Sequence, residues 1–245
     1  MNDPHVATLT YRVLATEDFE FKDAPPLEFD AQAFTGRLAD SLLTLTVKQH
    51  VPTEAEARAI ADPFIAAWEI HAGASLGRPD FRLRYEGAQI LDRAPAPGTH
   101  ALHLTATAHA SASAHLKVTR HEYPPAPAQF AVTPEVEVVW ERYCRYLAGK
   151  EPLLSMAYFC LTILERQDRR AAAQHFGIEY AVLNKLGELT STRGDDVTAR
   201  KMTAKTILLT GSERVWIEAA IKAIILHLGT RGRGATLLMA TLPPP

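Results

Sequence analysis

Tyr123-Pro124-Pro125-Ala126-Pro127-Ala128 places three prolines within five consecutive positions, and the hydrophobic period of the chain changes on either side of it. Proline fixes φ and donates no backbone hydrogen bond, so the run favours extended polyproline geometry and reads as a linker. Before it, apolar residues recur mostly at every second position, the mark of strands. After it they recur at three and four, the mark of helices. The 245 residues therefore read as an α+β protein in two parts. A sheet-rich domain with one packed helix spans 1–123, a linker 124–132, an all-α helical bundle 133–230 and a flexible tail 231–245.

In the first part, strands are expected at 6–14, 19–22, 27–30, 34–38, 42–48, 81–85 and 88–91. One helix interrupts them. Thr53 with Glu56 three residues on is a capping box, and Ala57, Ile60, Ala61, Phe64, Ile65 and Trp68 form one apolar stripe behind it. From Leu102 to Thr119 every even position is apolar and every odd one polar, which predicts a half-buried antiparallel strand or hairpin. A single straight strand of that length would reach about 60 Å. A three-residue loop at Ser111-Ala112-Ser113 or a strand bent around a curved sheet both keep the parity.

The second part reads as a bundle of four main helices with short ones. Thr133 caps a helix opened by Pro134, with Val136, Val139, Trp140, Tyr143 and Leu147 inward and Gly149 as its stop. Leu153 to Arg166 is apolar nearly all round and so central. Arg169 to Phe176 is a short helix stopped by Gly177, followed by Glu179 to Leu189. The last helix is expected to begin at a Ser212 cap and end at Gly229, with Leu237, Leu238, Met239 and Leu242 docking back.

Composition narrows the function classes. The chain is 47% hydrophobic and 22% charged, with a net charge of −2, which excludes collagen-like, mucin-like and fully disordered classes. No apolar run of 18 residues exists, so no membrane role is expected. The opening Met1-Asn2-Asp3-Pro4-His5 has no basic and apolar signal pattern, and two cysteines make no disulfide framework, so a cytoplasmic location is expected. Residues 1–128 hold 11 Lys/Arg against 16 Asp/Glu, and 129–245 hold 15 against 12. That asymmetry permits attraction of phosphate to the second part.

Several catalytic patterns fail on context. Gly73-Ala74-Ser75-Leu76-Gly77 matches the nucleophile-elbow spacing, but a helix precedes it and a strand follows, the reverse of what exposes a strained serine; it reads as a helix-to-strand loop. His103, His109, His115 and His121 share one strand parity, with His100 near. They read as solvent-facing strand histidines, a zinc site on His103, His109 and His115 being the alternative. Arg193-Gly194-Asp195-Asp196 reads as a turn before an acidic helix start. Nothing in the sequence calls for a cofactor.

Two resemblances concern the helical part. Arg169 to Ile178 leading into Glu179–Leu189 resembles a helix-turn-helix: Ala173 lets two helices approach, Gly177 makes the turn, and Leu183 and Leu186 bury the second helix. Tyr180, Asn184 and Lys185 would then face a major groove, with Arg169 and Arg170 near phosphates, while Glu179 and Glu188 flank that face and repel them. Separately, Ser155-Met156-Ala157-Tyr158-Phe159-Cys160 ending in Leu164-Glu165, together with the stretch from Leu183 to Lys201 in the span Pro134 to Gly229, resembles HEPN-like helical domains. These are common in bacterial RNA-targeting toxins and phage-defence proteins. Active members carry an Arg-x4–6-His pair, usually in one late helix, and often dimerise around one RNase site. Arg170 and His175 have that spacing, but on a short middle helix and with Ala171 where a polar residue is usual; the late helix has only His227. The resemblance therefore implies a catalytically silent version. In the active alternative His175 serves as general acid–base and Arg170 stabilises phosphate charge. The resulting expectation is a non-catalytic binding protein whose partner is RNA or DNA through the basic helical part, or else a protein or a second copy. A HEPN-type RNase, a helix-turn-helix DNA-binding regulator and a protein-interaction module are the alternatives.

Overall fold

The computed structural model describes residues 2–14, 19–95, 118–166, 168–194, 207–230 and 236–244, and the backbone of 102–104. By contact the chain divides into two units, Met1–Ala72 with Pro79–Ala128, and Gly73–Arg78 with Gln129–Pro245.

In the first unit a six-stranded sheet runs in the order β3-β4-β5-β1-β6-β7, from Pro4–Val13 (β1), Leu27–Asp30 (β3), Phe34–Ala39 (β4), Leu42–Val47 (β5), Leu83–Asp92 (β6) and Leu102–Leu104 (β7). Every neighbouring pair is antiparallel. One face is apolar: Phe34 and Leu38 of β4 and Leu43, Leu45 and Val47 of β5 alternate with the outward Thr35, Arg37, Thr44 and Thr46. The helix α1, Glu54–Leu76, lays Ala57, Ala61, Ile65, Trp68 and Ala72 on that core. Its cap is as the sequence suggests, with Thr53 Oγ1 accepting from Glu56 N at 3.3 Å. The helix runs on through Pro63. The missing N–H there falls on a face where Ala59 and Pro63 are both exposed, which leaves the freed carbonyl on the solvent side of the helix.

Two strands expected at 81–85 and 88–91 are one strand, β6. Its pairing with β1 slips at two places, between Val6 and Thr8 and between Thr10 and Tyr11. The extra residues are Ala7 on β1 and Glu86 on β6. A bulge shifts the inward parity by one, which is why the buried residues of β1 run Val6, Leu9, Tyr11, Val13. Glu86 uses its displaced position to hold Arg12 through Nη2 at 2.9 Å.

The described ends of the long alternating stretch lie in different sheets. Its start, β7, joins the main sheet beside β6, whereas Val118–Arg120 (β8) pairs in parallel with Phe19–Phe21 (β2) in a separate two-stranded sheet. Val118, expected inward, is exposed. Residues 105–117 lie outside the described residues, and with them His109 and His115.

The second unit holds five α-helices among the described residues: α2 Pro134–Leu147, α3 Leu153–Glu165, α4 Arg169–Phe176, α5 Tyr180–Thr192 and α6 Gly211–Gly229. The apolar α3 packs against all four others, the central place its composition implies. Trp216, Ile217, Ala220, Ile221, Ile224 and Leu228 of α6 are fully buried, each large side chain contributing about 1.5–3 kcal/mol. Thr133 caps α2 as expected, but Leu147 faces outward. The cap of α6 is Thr210, not Ser212: Thr210 Oγ1 accepts from Glu213 N at 3.1 Å and Glu213 Oε2 from Thr210 N at 2.9 Å. The helix α6 ends at Gly229 as expected, with Gly229 its last helical residue and Thr230 the C-cap. A Cβ on Gly229 would lie 2.0 Å from Phe130 Cε2, so glycine is required by the ring across it.

The proline-rich stretch is packed at both ends. In the first unit the Trp68 indole donates to Pro124 O at 3.2 Å and Ser41 N to the Tyr123 hydroxyl at 2.8 Å. In the second, Phe130 is buried and Ala131 N donates to Gly229 O at 2.8 Å. Among the described residues no helix is long and apolar enough to cross a membrane.

Candidate nucleic-acid interface

The short helix α4 is bounded tightly at both ends. Asp168 Oδ1 accepts from Arg170 N at 2.8 Å and Ala171 N at 3.1 Å, satisfying two donors that a helix start leaves open. At the other end Gly177 takes φ 65°, ψ 39°. Ile178 N then reaches back to Ala173 O at 2.9 Å, the left-handed stop that glycine supplies without Cβ strain. The turn Gly177-Ile178-Glu179 leads directly into α5.

Ala172, Ala173 and Phe176 of α4, Ile178 of the turn and Val182, Leu183 and Leu186 of α5 are all buried. Their burial leaves one outward stripe on α5, Tyr180, Asn184 and Glu188, at intervals of four. Lys185 lies at its margin, its ammonium 3.3 Å from Glu188 Oε1. Arg170 is exposed, with its guanidinium 5.6 Å from the Tyr180 ring centroid. Arg170, Gln174, Gly177, Tyr180 and Thr236 line an open groove of about 510 Å³.

Arg169, expected near phosphate, is used inside the unit instead. It pairs with Glu165, donates to Asn184 Oδ1 at 3.2 Å, and lies over Gly187, where a Cβ would come within 2.4 Å of its Nη2. Of the five expected contact residues, Tyr180, Asn184 and Arg170 thus share the outward face, Lys185 borders it, and Arg169 positions Asn184 from behind. Both flanking carboxylates are engaged: Glu188 by Lys185, and Glu179 Oε2 by Met239 N at 2.6 Å.

That last contact was not legible in the sequence. Within the C-terminal segment, expected to be a flexible tail, Leu237 and Met239 are hydrogen-bonded to the α4–α5 turn. Leu237 pairs with Ile178 in a parallel bridge, and Met239–Thr241 closes a 3-10 turn. Docking of the apolar tail was expected, but its target, the α4–α5 turn, carries no marker.

Arg170 and His175 lie five residues apart on α4, about 140° around the helix axis. Both are exposed, but the His175 ring is turned to Phe176, 4.8 Å between centroids, and His175 is not part of the groove that Arg170 lines. His227 on the late helix ties α6 to α4 through Nε2 and Phe176 O at 2.8 Å. Cys160 is fully buried, and burial pushes its thiol up to about 12, which leaves no thiolate to act as nucleophile.

The nucleophile-elbow match is not a loop. Residues 73–76 are the last turn of α1, Gly73 being required because a Cβ would meet Trp140 Cη2 at 2.4 Å, and Gly77 sits at φ 68° just after the helix. Among the described residues no cluster of three His, Cys, Asp or Glu is arranged to hold a metal. Only the backbone of His103 is described, and His121 Nδ1 is 2.8 Å from Lys22 O. Arg193, in the expected turn, pairs with Glu213 at 2.8 Å; Asp195 and Asp196 lie outside the described residues.

No family model matches this chain, and neither a curated protein nor a solved structure does.

Proposed function

We propose that this is a non-enzymatic, duplex-DNA-binding protein that uses α4 and α5 as a helix-turn-helix, with α5 as the helix that enters the major groove. One observation carries the reading. An eight-residue helix is stopped by a left-handed glycine and followed, after a three-residue turn, by a helix whose buried side leaves Tyr180 and Asn184 facing out beside Arg170. This is the placement that major-groove reading needs: base-edge contacts from the first turns of the second helix, and a cation at its entrance for phosphate. A HEPN-like RNase on Arg170 and His175 has less support, because the two side chains leave α4 in different directions. Regulation of transcription or a bacterial defence role both fit a DNA reader of this kind.

The test is fluorescence anisotropy with a pool of random duplexes about 30 base pairs long, about three helical turns. Wild type should bind with an affinity that falls steeply between about 50 and 200 mM salt. Arg170→Glu should weaken binding about tenfold or more and flatten the salt slope by about one. His175→Ala should change neither binding nor the integrity of the nucleic acid. RNA or DNA cleavage that His175→Ala abolishes would replace this reading with the nuclease.

A further inference from the structure

We infer that the C-terminal segment is a positioning element of the DNA face: the backbone of Leu237 to Met239 gives the Glu179 carboxylate a partner other than the entrance of α5, where the DNA reading puts a phosphate beside Arg170. The inference rests on the DNA reading above and names how the chain itself controls that site.

Three hydrogen bonds converge on the three-residue turn. Leu237 N donates to Gly177 O at 2.9 Å, Glu179 N donates to Leu237 O at 2.8 Å, and Met239 N donates to Glu179 Oε2 at 2.6 Å. Thr236 lines the same groove as Arg170 and Tyr180. Glu179 is the residue immediately before α5, and its side chain makes no capping bond to that helix. The first N–H groups of a helix and its positive end attract any nearby anion. A carboxylate tethered at that position is an intramolecular competitor for phosphate at a high effective concentration. The Met239 N–H gives it another partner, and the parallel bridge keeps that partner in place.

The perturbation that isolates this contact is Met239→Pro. Met239 opens the 3-10 turn, where proline is accommodated, and Leu238 before it is extended at φ −97°, ψ 148°, the geometry a residue preceding proline adopts. The substitution therefore removes the N–H and leaves the backbone path. In the full-length chain, with the random-duplex pool as probe, Met239→Pro should lose about tenfold in affinity, the effect of one lost charge-assisted contact. Its salt slope should flatten by about one, because Glu179 takes a position that a phosphate held. Glu179→Gln in the Met239→Pro background should restore affinity to within about threefold of wild type, since the competing charge is gone. Hydrogen exchange at the Leu237 and Glu179 amides should stay slow in both variants, which reports that the segment is still docked. Unchanged affinity in Met239→Pro overturns the inference. So does a loss that Glu179→Gln fails to rescue, which would make the segment a structural brace only. So does a gain in affinity, which would make it a cover over the face. A wild-type chain that binds no duplex while those amides remain protected overturns the DNA reading itself, and the positioning role with it.

Discussion

Replacing Glu213 with alanine tests the physical account of the second unit most sharply. Its carboxylate accepts from Arg193 Nη2 at 2.8 Å and Nε at 3.0 Å, and from Thr210 N at 2.9 Å, with the side chain only 9% exposed. It joins the end of α5 to the start of α6 across residues that are not adjacent in sequence. Loss of the capping half costs about 1 kcal/mol. Loss of the two charge-assisted bonds costs about 1.5–3 kcal/mol, toward the low end because Arg193, 21% exposed, regains water. The expected total is about 3 kcal/mol, or a fall of about 1.5 M in urea midpoint at a slope near 2 kcal/mol/M. The assay is urea unfolding of the full chain by far-ultraviolet circular dichroism, to which the helices of this unit contribute most. A double-mutant cycle with Arg193→Ala should return a coupling of about 1.5 kcal/mol. The Arg193 bond holds the Glu213 carboxyl below the usual carboxylate range. Its stabilisation is therefore complete above the unfolded value of about 4.3 and disappears as pH falls through the lower folded value. The gap between wild type and Glu213→Gln should accordingly close on acidification. A loss below about 0.5 kcal/mol, the range of ordinary surface substitutions, or a cycle with no coupling would refute the reasoning.

Other outcomes follow from the packing. Gly229→Ala should destabilise by about 1–3 kcal/mol despite alanine's better helix propensity, because its Cβ would overlap Phe130; thermal unfolding measures it, and Phe130→Leu in the same chain should recover part of the loss. Ser41→Gly should stabilise by about 1 kcal/mol, since Ser41 sits at φ 60° in the two-residue β4–β5 turn, where an L side chain is strained. Tyr123→Phe should cost about 1 kcal/mol by removing the acceptor of Ser41 N, and amide exchange at Ser41 should speed up accordingly.

The α+β architecture was legible because its strongest signals are local. Alternation in 34–38 and 42–47 and the stripe from Ala57 to Trp68 each follow from one element having one wet and one dry side. Bulges broke that rule without a sequence marker: Ala7 and Glu86 add one residue each, and only the partner strand reveals which residue is extra. The alternation from Leu102 to Thr119 left the partners of its two ends open for a related reason, since period two reports strand geometry but not which sheet a strand joins. At the start of α6, Thr210-x-x-Glu213 spells a capping box, but the adjacent Ser212 is an equally good cap by type, and the Arg193 partner that fixes Glu213 is far away in sequence. The site was half legible. Ala173, Gly177, Leu183 and Leu186 encode the path of α4, its turn and α5 through local packing and one positive φ. Withdrawal of Arg169 onto Glu165 and Asn184, and of Glu179 onto Met239, depends on contacts between elements, which periodicity does not carry.

The central claim is that the outward stripe of α5 touches DNA. Photo-crosslinking the full chain to random duplexes substituted with 5-bromodeoxyuridine, followed by peptide mass spectrometry, reads that contact directly. The account predicts adducts within Tyr180 to Glu188, with Tyr180 foremost, and their loss in Arg170→Glu. Adducts confined to the first unit, or none at concentrations where the duplex is bound, would contradict it.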